Sequence, residues 1–552
     1  MPNSAGTDGV LASSVKGVYY LIMLQLMSRL VTFVLHQVVL RFTSAETLGI
    51  ASVQFELLLS TILFLSREGF RCALLRSQET KTSSSESFLG ILDTTPEGVE
   101  QKTTNVSYIP TCLGLITTIL ACSYFLSFDQ TCPHYHLSVI IFGVAAMAEL
   151  VIEPLFILAL QRLYFQVRVS VEGVAVVLRC LVTFGLTILG SRGNGENTYG
   201  VLAFAIAQLV FGLTMMVGYL GFFAMEVSKG NIALRSLYPR RLVSTDGKVY
   251  WFDRTLLDLS ITLTKQSLLK HILTEGDKML ITALSTDDNQ GIYAFVVNYG
   301  SLVVRILFQP LEETGRTLFS KVLSVSPDQK ENSITTVTDV LLVIIRFHVL
   351  LGLLFVCFAT NYTSTLIDLL VGKEWSTVRN APQVLSAYCL YVPMMGINGI
   401  TEAFVQSAAS SSDLTRQSYA MIGFSICFML AGYLWMSVWD FGAIGLVMAN
   451  MVNVSIRIVY SLHFIKTYVG AQRNKLHIRN WMPRRLTMGA FASSWAITRW
   501  SLHHIGWQTL DQKARHISVG VACFSVVCAV IYKKEQRFLT DLVRLSKGRK
   551  QN

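Results

Sequence analysis

The sequence is poor in charged residues. Asp, Glu, Lys and Arg make up 15% of its 552 residues, whereas hydrophobic residues make up 52%. A chain of this length and composition is too apolar to be soluble in water, because its hydrophobic surplus has to face something other than solvent. The composition therefore excludes an ordinary soluble protein and predicts one that is embedded in a membrane.

The sequence also lacks the motifs of common catalytic and cofactor sites. It contains no Walker loop, no H-E-x-x-H or G-x-S-x-G motif and no paired Cys-x-x-Cys. Its ten cysteines show neither a disulfide framework nor metal-ligand spacing. We therefore expect no enzyme activity, no metal and no cofactor. Glu149 and Glu153 could in principle serve a glycosyltransferase, but the predicted loops on the non-cytoplasmic side leave little room for a sugar-transfer site.

Long apolar stretches recur along almost the whole chain. A membrane-spanning helix needs about 20 mostly apolar residues. Stretches of this kind run over 16–40, 45–66, 108–127, 137–160, 168–190, 199–225, 264–285, 291–318, 336–359, 384–409, 416–437, 441–466, 486–506 and 514–532. The sequence thus predicts an all-α polytopic membrane protein with about fourteen transmembrane helices.

The basic residues are distributed unevenly between the two sides of the predicted membrane. Most of the 46 Lys and Arg residues fall on one side, above all in 226–263, 466–485 and 533–550. Cytoplasmic loops carry such an excess, so we expect both termini to face the cytoplasm. The net charge of +11 could indicate a nucleic-acid partner. These residues adjoin predicted spans, however, which favours membrane lipids with anionic headgroups as partners and no nucleic acid.

Two hydrophilic segments interrupt the spans. Residues 77–107, rich in Ser, Thr and Glu, are predicted to be a flexible loop, and 226–263 divide the chain near its middle. The polar turns at 43–50 and 285–292 resemble each other, which favours an internal repeat of the kind found in many transporters. The expected domains are an N-terminal lobe at 1–225 (spans 1–6), a cytoplasmic linker at 226–263, a C-terminal lobe at 264–468 (spans 7–12), and 469–552 with spans 13–14 and a basic cytoplasmic tail.

The seventh predicted span has one polar face. At about 100° per residue, the polar side chains on that face are Thr264, Ser267, His271, Thr274, Glu275, Lys278, Thr282 and Ser285. Such a face either packs on a polar partner or lines water, and we expect it to line a cavity. The alternative is that Glu275 and Lys278, three residues apart, only neutralise each other.

Other ionisable residues also fall inside predicted spans. They are Arg29, Glu149, Glu153, Glu172, Arg179, Arg305, Arg346, Glu402 and Arg457. Arginine keeps its charge, and its planar group matches pairs of phosphate oxygens, so a phosphate or pyrophosphate headgroup would suit these arginines. The alternative is that each arginine is only the partner of a buried glutamate.

Several strings of residues in both halves of the chain are distinctive. They are FVLH at 33–36, LRF at 40–42, LFLSREGFR at 63–71, KQSLLKHILTEGDK at 265–278, QGIY at 290–293, NYGSLV at 298–303, RILFQPLEE at 305–313, YCLYV at 388–392 and INGITE at 397–402. Together they resemble the RFT family of oligosaccharide-lipid translocation proteins of the endoplasmic reticulum. The resemblance implies the fold of the multidrug and oligosaccharidyl-lipid exporter superfamily. That fold has two six-helix lobes in a V around a central cavity, here with two additional C-terminal helices.

The resemblance also implies a function and a location. The family moves, or helps to move, a dolichol pyrophosphate-linked five-mannose oligosaccharide from the cytoplasmic to the lumenal leaflet of the endoplasmic reticulum for protein N-glycosylation. Its partners would be that lipid, other membrane lipids and components of the N-glycosylation machinery. Two alternatives stay open: a non-transporting accessory protein in the assembly or delivery of the lipid-linked oligosaccharide, and a cation-coupled antiporter on the same fold.

The matched strings also suggest which residues contact the substrate. Headgroup candidates are Arg29, Arg41 and Arg67 in the first lobe and Lys278, Arg305 and Arg457 in the second. Candidates for polar or ion-pair groups of the cavity are His271, Glu275, Glu312, Glu402, Glu149 and Glu153. Sequons for N-glycosylation occur at Asn105, Asn361 and Asn453, although only Asn361 falls on the lumenal side in the expected topology.

Overall fold

The structure is a computed structural model of the whole chain. It describes residues 35, 37–76, 91–92, 95–128, 132–162, 164–191, 199–244, 248–323, 330–470, 478–536, 538 and 540.

Long helices dominate this part of the chain. In order they are α1 (Ala45–Leu74), α2 (Glu97–Leu126), α3 (Tyr135–Gln161), α4 (Gln166–Ser191), α5 (Gly200–Ser228), α6 (Arg254–Leu284), α7 (Asp287–Ser320), α8 (Ser333–Leu370), α9 (Ala381–Ala408), α10 (Ser412–Val438), α11 (Gly442–Val469), α12 (Arg485–His504) and α13 (Leu510–Lys534). Within the described residues, all except α6 and α12 are long and apolar enough to cross a membrane, which gives 11 candidate spans. The prediction of an all-α polytopic membrane protein is confirmed.

The number of spans stays a prediction. Helices α6 and α12 coincide with the seventh and thirteenth predicted spans but are not among the eleven helices that are apolar enough to cross a membrane. Most of the first predicted span, 16–40, lies outside the described residues. The helices observed are thus compatible with fourteen spans without establishing that number.

The chain forms two compact units, Met1–Lys278 and Met279–Asn552. The boundary lies inside α6, so residues 264–278, which the sequence placed in the second lobe, belong to the first unit. The reason is a set of polar contacts between α6 and α1, described below. Each unit has its own apolar core, which includes Phe156 and Phe223 in the first and Phe319 and Phe404 in the second.

The two units repeat one pattern of helix neighbours. In the first unit α3 packs against α1, α2 and α5, and α4 packs against α5. In the second unit α9 packs against α7, α8 and α11, and α10 packs against α11. Each helix therefore has a counterpart six spans later in the predicted numbering, and this correspondence supports an internal repeat.

Helices α1 and α7 also begin alike. Ser44 caps α1 by accepting a hydrogen bond from the Thr47 N–H (3.1 Å), and Thr286 caps α7 by accepting one from the Asn289 N–H (3.4 Å). Ser and Thr suit this position because their oxygen satisfies an amide that has no partner within the helix. A π-helical turn follows in each helix, Phe64–Glu68 in α1 and Val304–Phe308 in α7. Such turns are frequent at functional sites.

The prediction of a flexible loop at 77–107 is wrong for its second half. Residues Pro96–Ser107 form a helix, which is the polar beginning of α2, and Ile91–Leu92 form a short strand, β1. Residues 77–90 lie outside the described part of the chain. Thr95 caps this helix by accepting a hydrogen bond from the Gly98 N–H (3.0 Å). Pro96 occupies the first helical turn, where a missing N–H costs nothing. The helix was overlooked because its sequence is mostly polar. It packs on the linker, and only Val106 joins an apolar cluster, with Phe70, Leu74 and Ile157.

Helices α12 and α13 pack on each other and are joined to α8 by buried polar groups. Lys513 forms an ion pair with Asp368, and Arg346 forms one with Glu535. The amide of Asn361 donates hydrogen bonds to the Thr498 hydroxyl (2.9 Å) and the Trp495 carbonyl (3.3 Å). Asn361 is 1% exposed, so its sequon is inaccessible to a glycosylating enzyme in the folded protein.

Candidate functional site

The first unit contains a buried cluster of charges between α1 and α3. Glu153 is fully buried and forms two hydrogen bonds with Arg71, one of them from the Arg71 Nη2 (2.7 Å) and the other from its Nε. Arg67, one turn earlier in α1, lies 3.4 Å from a Glu149 oxygen and 3.9 Å from a Glu153 oxygen. Charges inside a membrane protein are costly, and pairing of this kind is one way in which they are accommodated.

This cluster continues into α4 and α5. The Gln208 Nε2 donates to a Glu149 carboxylate oxygen (3.2 Å), and the Gln208 Oε1 accepts from the Arg179 Nη1 (3.1 Å). The Arg71 guanidinium also lies 4.0 Å from the centroid of the Phe156 ring, close enough for a cation–π contact. Four helices of the first unit are thus connected through Glu149 and Glu153.

The polar face of α6 packs on α1 in the first unit. His271 is 2% exposed, its Nε2 lies 3.0 Å from the Thr61 hydroxyl, and its ring stacks on Phe64 with centroids 5.0 Å apart. Nearby, Gly69 faces Thr264 so closely that a Cβ atom at residue 69 would collide with the Thr264 backbone. At His271 the polar face therefore has a polar protein partner, and at Thr264 it is covered by α1; both differ from lining water.

Lys278 lies between two carboxylates. Its Nζ is 3.0 Å from a Glu275 oxygen and 3.4 Å from a Glu56 oxygen. The predicted pair between Glu275 and Lys278 is therefore present, and Glu56 of α1 adds a third charge that the sequence analysis did not include. Because Glu56 is in α1, Lys278 is joined to the first unit rather than to the second.

The second unit holds a smaller ion pair between α9 and α11. The Arg457 Nη2 donates to a Glu402 oxygen (2.6 Å), and the Asn398 amide donates to the same oxygen (3.2 Å). The side chain of Glu402 is 14% exposed and that of Arg457 is 29% exposed. This ion pair is therefore partly exposed, whereas Glu153 of the first unit is fully buried.

Glu312 pairs within its own helix. One of its oxygens accepts a hydrogen bond from the Arg316 Nη2 (2.9 Å), one turn further along α7. Gly399 of α9 lies against this carboxylate, because a Cβ atom added there would be 2.7 Å from a Glu312 oxygen. Gly399 thus permits the close approach of α9 to the Glu312 side chain.

Arg305 differs from the paired arginines. It is exposed and lies in the π-helical turn Val304–Phe308 of α7. Among the described residues it donates to the Ser301 hydroxyl (2.9 Å) and the Asn298 carbonyl (3.3 Å). No acidic side chain in the described part of the protein lies within ion-pair distance of it. A guanidinium carries five N–H donors, so this group keeps donors available for an anion.

Two of the headgroup candidates are not part of these clusters. Arg29 lies outside the described residues, and Arg41 is exposed at the end of the helical segment 37–41.

Sequence reasoning missed three residues that the structure places in the clusters: Arg71, Gln208 and Arg316. For Arg71 a signal existed. Arg67 and Arg71 are four residues apart, as are Glu149 and Glu153, so each pair lies on one face of its own helix.

The described residues include no group of three or more His, Cys, Asp or Glu side chains placed to hold a metal ion. The chemistry that the clusters offer is ionic. Membrane-embedded guanidinium groups are balanced by carboxylates, and the oxygens of a phosphate can take the place of a carboxylate with similar geometry.

Known proteins are similar to this chain along nearly its whole length. A family model described as Rft-1: Rft protein matches residues 13–545. The Man(5)GlcNAc(2)-PP-dolichol translocation protein RFT1 of Yarrowia lipolytica is 33% identical over 505 residues, 87% of this chain and 74% of that protein. The protein of the same name from Mus musculus is 31% identical over 561 residues, 99% of this chain and 98% of that protein.

A solved structure with a similar fold is that of the lipid II flippase MurJ in an inward closed conformation. It matches with a TM-score of 0.53 and 12% sequence identity, and the match covers 93% of this chain and 99% of that chain. At this level of identity the likeness concerns the fold alone. It agrees with the superfamily fold that the matched strings implied.

Proposed function

The chain belongs to the Rft protein family, and we propose on this basis that it translocates dolichol pyrophosphate-linked Man(5)GlcNAc(2) across the membrane of the endoplasmic reticulum. The observation that carries the proposal is the match to relatives named for this translocation over 87% and 99% of the chain. The lipid moves from the cytoplasmic to the lumenal leaflet, where it serves protein N-glycosylation. Both termini of the chain lie in the cytoplasm, in keeping with its Lys and Arg distribution.

The protein has to lower the cost of bringing a pyrophosphate and a sugar chain through hydrocarbon. An unpaired charge at the centre of a bilayer costs several kcal/mol or more. Arginine offsets this cost well because it stays charged and binds phosphate oxygens in pairs. The cations proposed to contact the pyrophosphate are Arg29, Arg41, Arg67, Lys278, Arg305 and Arg457.

The carboxylates of the clusters balance these cations when no lipid is bound. Glu149 does so for Arg67, Glu275 for Lys278 and Glu402 for Arg457. A bound pyrophosphate competes with the carboxylate for the same N–H donors, so binding exchanges one anionic partner for another. Exchange is easier for Arg457 than for Arg67, because the pair of Arg457 and Glu402 is the more exposed.

Arg305 is the strongest single candidate for a headgroup contact. It is exposed and has no acidic partner among the described residues, so no ion pair has to break before it binds an anion. Removal of its charge also leaves no buried carboxylate unpaired, so the fold should tolerate the substitution. Arg305 therefore separates an effect on translocation from an effect on folding.

The experiment is to measure movement of the dolichol-linked five-mannose lipid between leaflets of liposomes that contain the purified full-length protein. Loss of a charged hydrogen-bonding group costs about 1.5–3 kcal/mol, so Arg305→Gln should reduce the rate roughly tenfold or more. The matched control is Arg515→Gln. Arg515 is also an exposed arginine, lies in α13 and is paired with Asp511 at 2.8 Å, and its loss should leave the rate unchanged.

Two results would contradict the proposal in different ways. If the lipid moves no faster with the protein than in empty liposomes, while the same protein supports N-glycosylation in cells, the protein is an accessory factor and does not translocate the lipid. If movement depends on the protein but Arg305→Gln and Arg515→Gln behave alike, translocation stands and Arg305 is not a headgroup contact.

A further inference from the structure

The linker between α5 and α6 folds into a small structured region, although its composition suggests a plain charged loop. Strand β2 (Leu242–Val243) pairs in parallel with β1 and antiparallel with β3 (Val249–Tyr250). Leu242 and Val243 are buried. We call residues 91–92, 95–108, 229–244 and 248–254 the linker platform.

One asparagine organises the linker platform. Asn105 is fully buried, and its amide donates to the Arg240 carbonyl (2.6 Å) and to the Trp251 carbonyl (2.6 Å). Its side-chain oxygen accepts from the Arg240 N–H (2.9 Å) and from the Gln101 Nε2 (2.9 Å). An asparagine has two donors and two acceptor lone pairs, so the hydrogen-bonding capacity of Asn105 is fully used, and three of its four bonds fix the linker backbone.

Two more hydrogen bonds hold the first part of the linker. The Tyr108 hydroxyl donates to the Leu237 carbonyl (2.7 Å), and the Gln101 Nε2 donates to the Tyr238 carbonyl (2.9 Å). The backbone positions that carry the outward-facing side chains are therefore fixed before any partner binds. A fixed surface loses less conformational entropy on binding than a mobile basic loop does.

The outward-facing side of the platform is positively charged. Of its three acidic residues, Asp253 is paired with Lys102 (3.7 Å), Glu100 is paired with Arg162 at the end of α3 (2.7 Å), and Glu97 is exposed. Glu226, just before the platform, is paired with Lys229 (3.2 Å). The remaining cations, none with an acidic partner in the described residues, are Arg235, Arg240, Arg241, Lys248 and Arg254. The surface thus presents an excess of positive charge to whatever lies against it.

Aromatic rings stand among these cations. Tyr238 is 59% exposed, Trp251 is 45% exposed and Phe252 is 43% exposed. The Arg241 guanidinium lies 5.8 Å from the centroid of a Trp251 ring. Exposed Trp and Tyr side chains combined with Lys and Arg are typical of the boundary between lipid headgroups and water. Because α5 ends and α6 begins at the platform, it necessarily lies beside a membrane surface.

We infer that the linker platform binds anionic phospholipid headgroups of the leaflet beside it, which in the proposed topology is the cytoplasmic one. The cations attract the negative headgroups, and the rings insert at headgroup level. This binding concerns bulk membrane lipid and not the translocated glycolipid. It anchors the loop that joins the two halves of the chain.

The test uses the full-length protein in vesicles of phosphatidylcholine with increasing fractions of phosphatidylserine. In each experiment one of the two lipids carries bromine near its headgroup, which quenches the fluorescence of a nearby tryptophan. The protein has eight tryptophans, so the Trp251 signal is taken as the difference between the unmodified protein and Trp251→Phe. Brominated phosphatidylserine should quench Trp251 more strongly than brominated phosphatidylcholine at equal fraction. The preference should fall as salt is raised, since exposed charges are screened.

A combined Arg235→Gln, Arg241→Gln and Lys248→Gln variant should weaken this preference. Each cation near an anionic surface is worth a factor of roughly five in affinity, so the fraction of phosphatidylserine at half-maximal quenching should rise severalfold. The matched control is Lys229→Gln, because this linker cation is already paired with Glu226, and its curve should not move.

Equal quenching by the two lipids in the unmodified protein, at low salt, would overturn the inference. The surface would then take a different partner, such as an acidic protein segment. Since no variant is needed for that comparison, misfolding of the triple variant cannot obscure it. The measurement contains no glycolipid, so its outcome is independent of whether the protein translocates one.

Discussion

Helices α3 and α9 have equivalent neighbours in the two units, yet they hold their carboxylates differently. In the first unit Glu153 has no exposed surface and bonds to Arg71 through both oxygens. In the second unit Glu402 keeps 14% of its side chain exposed and has one arginine partner, Arg457. The first arrangement suits a permanent structural connection, and the second suits a partner that can be exchanged.

Arg67 and Arg305, which lie in π-helical turns of α1 and α7, show the same contrast between the two units. Arg67 in α1 faces two carboxylates of α3, whereas Arg305 in α7 faces none among the described residues. The carboxylate nearest in sequence on α7, Glu312, is taken by Arg316 of the same helix. From this difference we infer that charge in the first unit mainly serves the fold and that charge in the second unit is more available to an anionic substrate.

The largest expected effect is that of Arg71→Met in the first unit. It leaves the buried Glu153 carboxylate with only Arg67, 3.9 Å away. Breaking a buried pair by removal of one partner costs about 3–5 kcal/mol. The midpoint of thermal unfolding of the protein in detergent should therefore fall strongly, and the double variant Arg71→Met, Glu153→Gln should recover much of the loss.

Arg168→Gln is the control for that experiment. Arg168 pairs with Glu172 at 3.1 Å in an exposed position on α4, and exposed pairs contribute about 0–1 kcal/mol. If Arg71→Met destabilises the protein no more than Arg168→Gln does, the charges of the first unit are not structural and the contrast between the units disappears.

The counterpart in the second unit, Arg457→Met, should have an intermediate effect. Glu402 keeps its hydrogen bond from Asn398 (3.2 Å) and some exposure, so it is not left fully unpaired. A lost charged hydrogen bond of this kind costs about 1.5–3 kcal/mol. Thermal unfolding under the same conditions measures it, and a loss equal to that of Arg71→Met would show that the two ion pairs are equivalent.

Much of this fold could be predicted from the sequence, because hydropathy reports on each helix separately. From the second onward, the predicted spans coincide with helices that the structure describes, and most of the membrane-embedded charges were identified by position alone. Their partners were not identified, because pairing depends on which helices are neighbours. Arg71 joins Glu153 only because α1 packs beside α3, and nothing in the local sequence of either helix shows that packing.

The polar face of α6 and the segment 77–107 show the same limit of sequence reasoning. His271 on that face bonds to Thr61 of α1, and the residue pattern cannot distinguish water from a polar helix, so a cavity along the rest of the face stays a prediction. The helix at Pro96–Ser107 is stabilised by linker carbonyls that bond to Asn105 and Gln101. Its start signals, Thr95 and Pro96, were present, but a polar helix without an apolar face gives no periodicity to detect.

The last prediction gives Arg305 an acidic partner like that of Arg67. We expect it to have the smallest effect on stability, and it compares the two units most directly. Ser301 already accepts a hydrogen bond from Arg305 (2.9 Å) one turn away, so Ser301→Glu would place a carboxylate there. Such a pair on one helix contributes only about 0.2–0.5 kcal/mol. Translocation should nevertheless fall relative to the uncharged Ser301→Gln, because the guanidinium is then occupied. Equal rates in the liposome assay would show that the unpaired state of Arg305 is not what the substrate requires.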